Sequence, residues 1–133
     1  MPDKKPEQIP PIMVAEDDKP TRELLGAIIS RKYPEATLYL ADNGKTGVEI
    51  FKKHLPDIVI TDIKMPVMDG IEMASQIKLM KPETKIIVVT AFGNKVYLSR
   101  FSEIGYNAYI TKPVEFAKLF EAIQKCAAEV TSH

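Results

Sequence analysis

Apolar positions along the chain fall into two alternating kinds of segment. Runs of mostly β-branched apolar residues at 12–15, 58–60 and 86–89 are too short for helices and lack the polar alternation of a half-exposed strand. Each reads as a strand buried on both faces. Residues 37–41 alternate as a further strand, and 107–111 supply a fifth. Between them lie longer segments with apolar residues at helical spacing. Pro20 and Thr21 open one whose Leu24, Leu25, Ile28 and Ile29 share a stripe, ending near Tyr33-Pro34. Asp42-Asn43-Gly44 is turn chemistry before a helix with Val48, Phe51 and Leu55 on one side, running to Pro56. Residues 71–80 place Ala74, Ile77 and nearby methionines at helical spacing, the methionines as core filler. Lys81-Pro82-Glu83-Thr84 breaks that helix. Residues 94–104 carry Val96, Tyr97, Leu98 and Phe101 on a less regular stripe, which suggests looser packing, and Gly105 closes them. The last helix, from Val114 to about Val130, turns Phe116, Leu119, Phe120, Ile123 and Ala127 toward a core.

Five strands alternating with five helices through short connections predict an α/β fold. It is a (βα)5 doubly wound, five-stranded parallel sheet with helices on both faces. The expected strand order is the flavodoxin-like 2-1-3-4-5, which binds ligands at the carboxyl ends of its strands, with the switch point between strands one and three. Those ends carry the chemistry-bearing residues. The first strand runs into Glu16-Asp17-Asp18 and the third into Asp62, where Pro66 and Asp69-Gly70 force a turn. The fourth ends in Thr90-Ala91-Phe92-Gly93 and the fifth in Lys112-Pro113. Singly, each has an ordinary explanation: Asp62 or one of the first three acids can cap a helix, and a strand-end Thr is common. Capping does not account for an adjacent acidic pair after a buried strand, because like charges a few ångströms apart raise each other's pKa. A divalent cation does.

Composition acts by exclusion. The 133 residues are 45% hydrophobic and 27% charged, as in an ordinary globular domain with a sizeable core. A formal net charge of zero offers no electrostatic footprint for nucleic acid or an anionic membrane. A single cysteine, Cys126, excludes an internal disulfide and a thiolate metal cluster, and reads as a packed side chain. His54 and His133 have no ligand-spaced companions and read as surface residues. With no run of membrane length and no signal-peptide pattern, the chain reads as cytoplasmic. Residues 1–11, with proline and charge but no apolar period, read as a flexible lead-in or linker, and residues 12–131 as one domain. The chain ends just past the last helix, so it is expected to be a free-standing unit or a piece of a larger regulator or hybrid kinase.

Facing carboxylates make a hard, oxygen-rich site suited to Mg²⁺. Asp17 and Asp62 are the expected direct ligands, with Glu16 direct or through water and the Lys64 backbone carbonyl within reach. Thr90 adds a neutral donor and Lys112 a mobile cation, so that a phosphoryl group could place one oxygen on each of metal, hydroxyl and ammonium. A carboxylate can itself be the nucleophile, and Asp62 is central enough to form an aspartyl phosphate.

From about Ile12 to the end of the last helix the chain resembles the receiver domains of two-component response regulators. The resemblance rests on Glu16-Asp17, on Asp62 within Asp-Ile-Lys-Met-Pro-Val-Met-Asp-Gly, on Thr90 in Val-Val-Thr-Ala, and on Lys112-Pro113 after Ala-Tyr-Ile-Thr. The first acid is Glu rather than the commoner Asp, and Pro20 sits one place later than usual. The resemblance implies that Asp62 accepts a phosphoryl group from a histidine kinase or histidine phosphotransfer protein, with Mg²⁺ required and Mn²⁺ able to substitute. It implies a signalling domain with self-phosphorylation and slow autodephosphorylation rather than an enzyme with a separate substrate. It further implies a switch in which Thr90 moves toward the phosphoryl group and Tyr109 turns inward. The surface of the fourth helix, fifth strand and fifth helix then changes preference for a downstream target, an output domain or a second copy of the chain. Lys64 and Phe92, two residues after Asp62 and Thr90, would tune water access, and the Lys112–Pro113 peptide would be cis.

Other readings are weaker. An aspartyl phosphatase usually has a second Asp two residues after the nucleophile, where this chain has Lys64. A flavin site of this fold needs a Ser/Thr/Gly-rich phosphate loop where Glu16-Asp17-Asp18 stands, and no Walker-type nucleotide motif is present. A receiver-like docking module that has lost its chemistry remains the alternative.

Overall fold

The computed structural model describes residues 8–91 and 95–130. Most of the expected lead-in, together with Phe92 and His133, lies outside them. Ten elements alternate in chain order: β1 (Ile12–Ala15), α1 (Lys19–Lys32), β2 (Leu38–Ala41), α2 (Gly44–His54), β3 (Ile58–Thr61), α3 (Gly70–Met80), β4 (Lys85–Ala91), α4 (Lys95–Ile104), β5 (Ala108–Lys112) and α5 (Phe116–Val130). The strands form one parallel sheet in the order β2-β1-β3-β4-β5, the expected doubly wound arrangement. Among the described residues no helix is long and apolar enough to cross a membrane.

Strand side chains alternate between faces with a period of two, so an unbroken apolar run feeds two cores at once. Ile12, Val14, Ile58, Ile60, Ile87 and Val89 point toward α1 and α5, where they meet Leu25, Ile29, Leu119 and Ile123. Met13, Ala15 and Val59 point the other way, onto Phe51 of α2 and Met73 and Ile77 of α3. Beyond them Ile86 and Val88 meet Ile71, Ala74 and Phe101. Cys126 lies in the first of these cores. Burial pushes its thiol up to about 11, so it stays protonated and unreactive at neutral pH.

Caps set the helix starts. Asp18, Asn43 and Asp69 precede α1, α2 and α3 and accept from the backbone N–H of Thr21, Thr46 and Glu72. Asp18 is therefore the one acid of the first cluster that capping explains. Three apolar assignments are corrected by the structure. Leu24 is 50% exposed: α1 turns Leu25, Gly26 and Ile29 toward the sheet, and Leu24 falls outside that face. Leu55 is the left-handed C-cap of α2 at φ 48°, so it leaves the helix face and is exposed. Phe116 begins α5 at 41% exposure, one turn before the core-facing Leu119. Val96 is also exposed while Tyr97 and Leu98 are half-buried, in keeping with the irregular stripe of α4. Asn107 lies before β5 rather than in it: its backbone and side chain bracket Ile86 and fix where β4 begins. His54 is exposed but stacks on Tyr39 at 4.3 Å.

Gly70 is required for a different reason, close approach. A Cβ there would lie 2.1 Å from the carbonyl oxygen of Asp62 and 3.1 Å from the Thr61 hydroxyl. Gly70→Ala must therefore push the backbone after β3 and is expected to destabilise the chain by about 1–3 kcal/mol, read as a lowered urea midpoint; an unchanged midpoint would refute this packing account.

Candidate functional site

The ladder continues past the strand ends and carries the acids into one crevice. Glu16 donates its N–H to Ala41 and Asp62 donates its own to Ala15, so the turn residues after β1 and β3 stay in register with their neighbours. Carboxylate oxygens of Glu16, Asp17 and Asp62 all lie within 4.8 Å of one another. Glu16 is 1% exposed and Asp62 8%, whereas Asp17 faces solvent. From β5, Lys112 places its ammonium 2.8 Å from Asp62 Oδ2 and 2.8 Å from Glu16 Oε1. Asp62 Oδ1 accepts from the Ile63 N–H at 2.7 Å, and Glu16 Oε2 accepts from the Asp18 N–H at 3.1 Å. Thr90, on β4 between these strands, is buried and level with Thr111.

The electrostatics follow from this crowding. Burial holds the Glu16 carboxyl above its ordinary value, with the Asp62 charge adding to the rise and the Lys112 ammonium and Asp18 N–H offsetting part of it. For Lys112, burial favours the neutral amine, but Asp62 and Glu16 outweigh it and the pKa is raised. Asp18 sits below the usual range because Thr21 donates to it twice.

Three acids against one ammonium leave the crevice net negative. Glu16 Oε1 is buried, and its close partner is the Lys112 ammonium at 2.8 Å, which it shares with Asp62. Two buried carboxylates that share one ammonium, with an exposed third whose oxygen lies within 4.8 Å of theirs, are a donor set that fits a hard divalent cation.

Of the residues singled out from sequence, Glu16, Asp17, Asp62 and Lys112 converge here, and Thr90 lies one residue before the end of the strand between them. The Lys112–Pro113 peptide is cis. Lys64 follows Asp62 in the loop, but its ammonium lies 4.5 Å from the centroid of the Tyr97 ring. Tyr109 is 52% exposed and packs edge-on against Tyr106 at 6.1 Å, so in this structure it is turned outward. Two contributors escaped sequence reading. Arg22 donates to the backbone carbonyls of Glu16, at 2.9 Å, and Asp17, at 3.4 Å, clamping the acidic pair from α1. The available signal was a cation one turn beyond the Asp18 cap. Tyr97 read only as part of an apolar stripe.

A family model described as the response regulator receiver domain matches residues 12–124. The chain is 34% identical over 112 residues to the chemotaxis protein CheY of Halobacterium salinarum, covering 84% of this chain and 92% of that protein. Among solved structures, the N-terminal domain of an uncharacterized protein from Wolinella succinogenes superposes with a TM-score of 0.84 at 34% identity, covering 90% of this chain and 95% of that one. The receiver domain of the Saccharomyces cerevisiae response regulator Ssk1, crystallised with the histidine phosphotransfer protein Ypd1, gives 0.83 at 25% identity over 95% and 94%.

The raised pKa of Glu16 fixes the sign of a pH effect. The folded state binds a proton that the unfolded state releases between the ordinary value of 4.5 and the higher folded one, so stability falls as pH rises through that window. In metal-free buffer Glu16→Gln, which stays neutral, is expected to be more stable than wild type at pH 7, with the difference vanishing below about pH 4. Urea unfolding in EDTA at both pH values checks this, and equal midpoints at pH 7 would contradict it.

Proposed function

The chain belongs to the response regulator receiver domains of two-component signalling, and from its strand-end crevice we propose that Asp62 is the phosphoacceptor of a single domain spanning residues 12–131. The observation that carries this reading is the position of its carboxylate: nearly buried, in contact with Lys112, and within 4.8 Å of the acidic pair. The donor is the phosphohistidine of a histidine kinase or phosphotransfer protein, a reading supported by the yeast receiver crystallised with such a protein. An Asp62 oxygen attacks phosphorus, the phosphorus–nitrogen bond breaks, and its electron pair returns to the imidazole.

Glu16, Asp17, Asp62 and the Lys64 carbonyl would hold Mg²⁺. When bound, it supplies positive charge against the phosphoryl oxygens in the transition state. Lys112 contributes a second, fixed cation and orients the carboxylate it touches. Ile63 holds the other Asp62 oxygen through its N–H. Arg22 keeps the acidic pair in place through its carbonyls, and Thr90 offers a hydroxyl at the phosphoryl level. Slow loss follows when water attacks phosphorus, releases inorganic phosphate and restores Asp62; Lys64 and Phe92 tune that step.

The output runs through Thr90 and Tyr109. Drawing Thr90 to the phosphoryl group opens space into which Tyr109, now outward on β5, can turn. The surface of α4, β5 and α5 then changes its preference for a downstream protein, an output domain or a second copy. Adding about two negative charges next to a poised element is sufficient drive for such a shift.

Intact mass after incubation with Mg²⁺ and acetyl phosphate tests the acceptor. The folded wild-type chain should gain one phosphoryl group. Asp62→Asn and a metal-free sample should gain none. Uptake by Asp62→Asn would move the acceptor elsewhere, and no uptake by the folded wild type would overturn the reading.

A further inference from the structure

Lys64 lies two residues past Asp62 and is exposed, yet its ammonium is not on the carboxylates. It sits over the Tyr97 ring, 4.5 Å from the centroid, and the cation on Asp62 is Lys112 instead. None of the ion pairs among the described residues involves Lys64. The ring has a fixed seat. Tyr97, on α4, packs against the cluster that includes Ile63, Ile71 and Phe101, so one side of it is held by the core while the ammonium reaches it from solvent. The contact joins the loop that follows the acceptor to a helix from another part of the chain.

We propose that Tyr97 is a positioning residue that holds the Lys64 ammonium off Asp62 and thereby sets how fast a phosphoryl group there is lost to water. The inference rests on the reading of Asp62 as acceptor. An exposed cation–π contact is comparable to thermal energy, so the ammonium divides its time between ring and crevice. The roughly two negative charges of a phosphoryl group draw it inward. Hydrolysis needs a water oxygen at phosphorus; the acyl oxygen–phosphorus bond breaks, its electron pair returns to the Asp62 carboxylate, and inorganic phosphate and a proton leave. Lys64 enters the crevice from its exposed rim, the side from which that water must come. An ammonium hydrogen-bonded to the phosphoryl oxygens stands in the way, and a ring that retains the ammonium keeps the way open.

The test is the decay of chain loaded with acetyl phosphate, followed by intact mass in Mg²⁺ after the donor is removed. Tyr97→Leu should decay about two- to fivefold more slowly than wild type, the range set by the strength of the contact. Tyr97→Phe, which keeps the ring, should decay at the wild-type rate, and Lys64→Ala should decay faster. In the Lys64→Ala background Tyr97→Leu should change nothing. A wild-type rate for Tyr97→Leu overturns the proposal, as does an equal slowing with Lys64 absent, which would mean that Tyr97 acts through the packing of α4. The contact is checked without phosphorylation by NMR. The Lys64 ε-methylene protons should be shifted upfield by the ring in wild type and Tyr97→Phe and not in Tyr97→Leu, and no upfield shift in wild type overturns it. If the folded wild type takes up no phosphoryl group, the acceptor reading fails and this inference falls with it, a failure visible in the mass before any decay is followed.

Discussion

Glu16 and Asp62 are buried carboxylates gathered around a single ammonium, that of Lys112, 2.8 Å from each. The arrangement meets opposing demands. Burial penalises each charge and proximity adds repulsion, which together hold Glu16 above its ordinary range. Lys112 relieves both, but it brings one positive charge to a crevice that also contains Asp17. The negative charge left over is what makes the site receptive to a divalent cation. Taking one partner from a buried ion pair generally costs about 3–5 kcal/mol, most of it the penalty on the charge left behind. Lys112 is therefore a structural residue of the strand ends, and the crevice keeps its shape because the cation and acids constrain each other.

That pairing depends on sheet order. β1 and β3 are neighbours, so Glu16 and Asp62 leave adjacent strands, but β5 is separated from β3 by β4. Two strand spacings are about 10 Å, a gap that needs a long side chain from β5 and small residues where it crosses. Lysine supplies the length. Ala91, opposite Lys112 at the end of β4, leaves the crossing clear, and Thr90 beside it is small enough to share the space. A strand order that exchanged β4 and β5 would put Lys112 next to Asp62 but remove Thr90 from between them. The sheet topology thus sets the site's geometry, and the buried apolar runs of β1, β3 and β4 hold the charged edge in place.

Most of this was legible in the amino-acid sequence because period and punctuation agreed. The continuous runs at 12–15 and 58–60 could only be strands covered on both faces, and Asp18, Asn43 and Asp69 announce helix starts through capping chemistry. Once the strand order is known, Glu16, Asp17, Asp62, Thr90 and Lys112 fall on one edge without further assumption. Spacing failed where hydrophobicity and exposure part company. Leu24 lies on the expected stripe, but α1 turns Leu25, Gly26 and Ile29 to the sheet and leaves Leu24 outside that face. Leu55 follows the helical period, yet a left-handed backbone at that residue turns it out. Such outcomes are set by packing between elements distant in the chain, which a local pattern does not encode. Arg22 and Tyr97 were missed for the same reason: what they touch, a pair of carbonyls and an ammonium, belongs to other segments.

Exposure within the site also gives it a direction. Glu16 is sealed and Asp62 nearly so, whereas Asp17 and Lys64 face solvent. Anything entering from solvent meets the exposed groups before the buried ones. An exposed carboxylate loses little solvation when it meets an incoming cation, while a sealed one has already been desolvated by folding and binds the more strongly for it. With Asp17 outside and Glu16 inside, the cluster has one solvated and one desolvated oxygen donor. The cations divide the same way: Lys112 is tied to two acids within the crevice, while the exposed Lys64 rests on an aromatic ring through a weaker contact.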